Sequence, residues 1–122
     1  MPLTNIPHLE NKDVDDNFII KSSLTQGKSA FIMIYGTFCG YCKIVYPEIQ
    51  KLNKEMGKQV YVCAIQIDSK INSVKKLVKK MYIKFKDDIP GVPTFILIQP
   101  NGEYRIHNGQ RKFEDFKKFI LE

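Results

Sequence analysis

A chain of 122 residues, 43% hydrophobic and 26% charged, can bury one core and is too ordinary in composition to stay disordered. Its longest clean apolar run, residues 30–35, is far short of the roughly 20 residues a membrane-crossing helix needs. The net charge of +6 is concentrated, because Lys70 to Lys86 holds seven lysines and no acid.

Asp15 or Asp16 can cap a first helix carrying Phe18, Ile19 and Leu24 and ending near Gly27. A weaker strand is expected before it, around Ile6 to Leu9. "AFIMIYG" reads as a strand buried on both faces. A helix from about Gly40 to Met56 follows, with Val45, Ile49, Leu52 and Met56 on one face, Pro47 inside it and Gly57 as its stop. "QVYVCAIQI" is a second buried strand. Asp68 to Tyr82 is expected as a helix with Ile71, Val74, Leu77, Val78 and Met81 inward and lysines outward. "TFILIQ" and "EYRIH" flank Pro100-Asn101-Gly102 as an antiparallel hairpin. A last helix from about Lys112 buries Phe113, Phe116, Phe119 and Ile120. Alternating strands and helices followed by a hairpin predict an α/β fold, a central mixed sheet with helices on both faces, in a single domain over 1–122.

The chemistry lies in "TFCGYCK", where Cys39 and Cys42 stand two residues apart in a chain with one other cysteine, Cys63. Cys39 directly follows a buried strand and opens a helix, where unpaired N–H groups and the dipole favour an anion. Thiols so placed can have a pKa of ~3.5–7.5 instead of about 8.5. Cys42 lies one turn on, near the same face and less exposed. That asymmetry makes Cys39 the attacking thiol and Cys42 the resolving thiol. Zinc needs about four ligands. Cys63, His8 and His107 form no second pair, so no metal is expected. Two inert buried thiols fit the strand–CxxC–helix context poorly. Cys63, mid-strand among Val62, Ala64 and Ile65, reads as a small core residue. No role is assigned to the histidines.

"FIMIYGTFCGYCKIVYPEIQKL" resembles the strand, redox motif and kinked helix of the thioredoxin superfamily, in pattern the thioredoxins and the catalytic domains of protein disulfide isomerases. "PGVPTFILIQPNGE" is similar to their cis-proline loop and hairpin, and "HNGQRKFEDFKKFI" to the end of the isomerase domains. The resemblance, over about residues 14–121, implies a thioredoxin-like fold and protein thiol–disulfide exchange without a cofactor. It implies that Pro93 bends against the cysteines and that the backbone at Val92 and Pro93 binds an extended substrate. It also implies that Arg111 is the mobile arginine that helps the second cysteine ionise. Gly40 and Tyr41 then tune the redox potential, and without proline between the cysteines the couple is expected to be more oxidising than thioredoxin.

Departures matter. Where the family has a buried acid and a lysine partner, this chain has Met33 and Ala64, so a buried ion pair has been replaced as a unit. The usual tryptophan before the motif is Phe38. The alternatives are a binding or structural protein of this fold with incidental redox activity, and a glutathione-dependent, glutaredoxin-like enzyme. Expected partners are protein disulfides or dithiols and an unidentified reductant or oxidant. Nucleic acid is not expected, since the lysine-rich helix has one aromatic, Tyr82, and no base-reading motif. "MPLTNIPHLENKDVDD" lacks a basic start and an apolar core, so the expected location is the cytoplasm. The Lys/Ile bias would suit a large DNA virus, in the host cytoplasm or the virion.

Overall fold

The computed structural model describes residues 3–122. Among them β1 (Ala30–Tyr35), β2 (Tyr61–Gln66), β3 (Thr94–Ile98) and β4 (Tyr104–His107) form one mixed sheet in the order β2–β1–β3–β4. β1 runs parallel to β2 and antiparallel to β3, and β3 and β4 make the expected hairpin. Its turn is closed by the N–H of Gly102 donating to Gln99 O, with Gly102 at φ +93°, where a side chain is disfavoured.

The alternation of β1 sorts its side chains onto two cores. Phe31, Met33 and Tyr35 face α2 (Gly40–Met56) and α4 (Phe113–Leu121). Ala30, Ile32 and Ile34 face α3 (Asn72–Phe85), packing with Leu77, Met81 and Phe85. A strand with neighbours on both edges and helices on both faces has no solvent side, which is why "AFIMIY" is apolar throughout. α2 buries Val45, Ile49, Leu52 and Met56 as its spacing predicts, runs on through Pro47, and stops at Gly57. A Cβ there would stand 2.5 Å from the Asn53 carbonyl oxygen.

Three expectations are corrected. No helix starts at Asp15 or Asp16. The Asp15 carboxylate instead accepts the N–H groups of Asn17 and Ile19, both at 2.9 Å, and closes a turn that drops Phe18, at φ +60°, into the core. A local side-chain acceptor has outcompeted helix formation. Only α1 (Ser22–Thr25) is helical there. Residues 6–9 form one bridge rather than a strand, with Pro7 O and the Leu9 N–H bonded to Ala64, since Pro7 has no N–H to give. α3 begins at Asn72, not Asp68, and leaves Ile71 60% exposed rather than inward.

Candidate active site

Cys39 is the residue that caps α2. Its backbone is extended, at φ −91° and ψ 109°, and its sulfur accepts the Cys42 N–H at 3.1 Å. This is where the N-terminal donors of a 17-residue helix converge. Cys39 and Cys42 are joined as a disulfide with Cα atoms 5.3 Å apart. Cys42 is fully buried, whereas Cys39 keeps 8% of its surface. The expected asymmetry of access is therefore present. Phe38, Tyr41 and Ile44 stand exposed around the pair.

The Val92-Pro93 peptide bond is cis, and Val92 O lies 3.8 Å from Cys39 Sγ. The loop before β3 is thus brought onto the outer cysteine. A Cβ at Gly40 would meet nothing within 4 Å, so packing within the chain does not demand glycine there. Cys63 lies on the opposite side of the sheet from Cys42, in the core beneath α3, where burial pushes its thiol pKa up.

Met33 and Ala64 are register partners across β1 and β2, both without exposed surface, and share a core with Cys42. Arg111 is exposed and, among the described residues, forms no ion pair. It shares a cavity of about 550 Å³ with Tyr41, but the structure does not seat it on Cys42.

Three side chains that sequence reading passed over shape the site. Asp68, just past β2, accepts both the N–H (3.2 Å) and the hydroxyl of Thr37, tying down the loop between β1 and α2. Burial acts to raise its pKa, but hydrogen bonds from Thr37, Gln66 and its own backbone together outweigh it and hold the carboxyl below its usual value. His8 Nδ1 lies 2.9 Å from Ile6 O, which can only accept, so this nitrogen carries a proton. The other ring nitrogen, Nε2, lies 2.6 Å from the Tyr35 hydroxyl. Desolvation, followed by the charges of Tyr46 and Asp68, pushes the Tyr35 pKa up to about 12. Glu48 on α2 accepts the Phe113 N–H at 2.8 Å. Only Asp68 had a signal, as an acid at the end of a buried strand beside the motif loop.

Residues 11–122 match the thioredoxin family model, and the chain belongs to the thioredoxin family. It is 26% identical to a protein disulfide-isomerase of Zea mays over 94% of this chain and 21% of that protein. It is 30% identical to thioredoxin 2 of Plasmodium berghei over 77% of this chain and 52% of that one. The chain spans about a fifth to a quarter of the first curated relatives it matches, at 22%, 21% and 25% of their lengths. In fold it is similar to the J-Trx1 fragment of ERdj5, with a TM-score of 0.70 at 17% identity over 95% of this chain and 50% of that one. Chloroplastic thioredoxin z superposes with a TM-score of 0.67 at 15% identity over 99% and 96% of the two chains. The thioredoxin-like fold expected from the motifs is the fold observed. Among the described residues, no helix is long and apolar enough to cross a membrane.

Proposed function

We propose that this chain, acting as one domain, is a protein thiol–disulfide oxidoreductase that works through Cys39 and Cys42. The observation that carries the reading is the closed Cys39–Cys42 disulfide at the start of α2, with the outer sulfur 3.8 Å from Val92 O. In the reducing direction the Cys39 thiolate attacks a substrate disulfide, and one substrate sulfur leaves as a thiolate. Cys42 then gives up its proton and attacks Cys39 Sγ, the mixed disulfide breaks, and the second substrate thiol is released. The substrate gains two electrons and the cysteine pair loses them. In the reverse direction a dithiol is oxidised.

The other roles are part of the same proposal. Val92 and Pro93 hold an extended substrate segment beside Cys39. Gly40 and Tyr41 set the potential of the couple. Arg111 favours the Cys42 thiolate electrostatically. The partners are protein disulfides or dithiols and a separate reductant or oxidant, and the setting is the cytoplasm. Turbidimetric reduction of insulin with dithiothreitol tests the reading. Cys39→Ala should abolish catalysis and Cys63→Ala should retain it, whereas equal loss in both would contradict the reading that Cys63 takes no part in the chemistry. The Met33–Ala64 pair favours a second reading, a binding protein whose redox chemistry is incidental. Wild-type insulin reduction no faster than the dithiothreitol background would support it.

A further inference from the structure

Residues 108–112, which carry Arg111, connect β4 to α4 and are fastened at both ends. At the entry the His107 ring is buried among Phe95, Phe116 and Phe119, and its Nε2 lies 2.7 Å from Gln110 O. A carbonyl only accepts, so Nε2–H donates. At the exit the first residue of α4, Phe113, needs an acceptor for its N–H. A capping side chain serves the N–H groups of the second and third helical residues, so that of the first must find its acceptor outside the helix, and the capping residue here, Lys112, carries no acceptor at all. Glu48 supplies it instead, from α2, the helix that begins with the cysteine motif. The carboxylate is half-buried in the wall of the cavity that Tyr41, Ile44 and Arg111 also line.

We propose that Glu48 is a positioning residue for Arg111. By capping α4 from α2, it fixes the arginine loop onto the same helix that holds Cys42. The inference rests on the role given above to Arg111. Attraction between the guanidinium and a Cys42 thiolate falls with separation, so a loop free to drift outward loses it. The step affected is resolution. Cys42 gives its proton to solvent, its thiolate bonds to Cys39 Sγ, and the bond from Cys39 to the substrate sulfur breaks, its electron pair leaving with that sulfur. Attack by Cys39 does not involve the loop.

The test uses the full chain, reduced, with the neutral probe dithiodipyridine in single turnover. The first thiopyridone released reports attack by Cys39, and the second reports resolution by Cys42. Glu48→Ala and Arg111→Ala should each slow the second release about three- to tenfold, as half to one pKa unit would, and leave the first unchanged. Glu48→Gln keeps a carbonyl acceptor and should stay within about twofold of the parent rate, below the roughly threefold that a half-unit pKa change would produce. The double variant should be no slower than Arg111→Ala alone, because both act through one group. Lys112→Ser gives α4 its own cap. Glu48→Ala with Lys112→Ser should recover thermal stability yet still resolve more slowly than Lys112→Ser alone. That comparison keeps the test open even if Glu48→Ala folds poorly. Glu48→Ala resolving at the parent rate, Glu48→Gln as slow as Glu48→Ala, or effects that multiply in the double variant would overturn the inference. Normal resolution in Arg111→Ala would overturn both the inference and the arginine role. Absence of any second release from the parent chain would instead remove the oxidoreductase reading.

Discussion

Met33 and Ala64 face each other as register partners on β1 and β2, both wholly buried, in the same core as Cys42. No carboxylate occupies this position to take the proton that Cys42 must lose. Attack by Cys39 should therefore be normal, while resolution should be slow near neutral pH and rise about tenfold per pH unit until Cys42 ionises. Met33→Asp should speed resolution near pH 7 and destabilise the fold by about 2 kcal/mol or more, since Ala64 offers the new group no partner. Stopped-flow resolution rates across pH, with urea unfolding of the variant, check both halves. A fast resolution that Met33→Asp leaves unchanged would mean another group moves the proton.

The three cysteines should react in a fixed order after reduction. Cys39 has helix-terminal stabilisation and some exposed surface, Cys42 has none exposed, and Cys63 is buried with its thiol pKa pushed up. Iodoacetamide followed by peptide mass mapping should find Cys39 modified first, below the pH of about 8.5 where ordinary thiols ionise. Cys63 should stay unmodified until the chain unfolds. Alkylation of Cys42 before Cys39 would reverse their roles.

The Asp68–Thr37 contact predicts a pH dependence of stability. The carboxyl pKa is lower in the folded chain than in the unfolded one, so the unfolded state binds the proton first as pH falls. The contribution is present above the unfolded value, about 3.9, and is lost as pH drops through the folded value. Asp68→Asn should lower stability at pH 7 by about 1 kcal/mol, in line with a typical net hydrogen bond at a site open to solvent. It should also show a shallower acid limb than the parent. Urea unfolding at neutral and acid pH measures this, and parallel acid limbs would contradict it.

Much of this architecture is legible in the sequence because periodicity reports burial. The continuous apolar run of β1, the one-face spacing of α2 and the Pro100-Asn101-Gly102 turn each reflect a local rule, and all three elements form where expected. The misses arise where a side chain answers to a distant partner. Asp15 looks like a helix cap and Asp68 like the start of a helix, yet one closes a turn and the other binds Thr37 across 31 residues. His8 carries no local signal, because its partner Tyr35 is 27 residues away. Cys39 and Cys42 are readable since their chemistry depends on the strand and helix immediately around them. Glu48 is not, because the N–H it accepts, that of Phe113 at the start of α4, lies 65 residues away.

The central claim is that Cys39 bonds to substrate and Cys42 releases it. Covalent trapping tests this most directly. Incubated with oxidised insulin or another protein disulfide, Cys42→Ser should accumulate a mixed disulfide that mass mapping places on Cys39 and that dithiothreitol dissolves. Cys39→Ser should accumulate none. An adduct on Cys42 or Cys63, or no adduct in Cys42→Ser while the parent chain still turns over, would contradict the account.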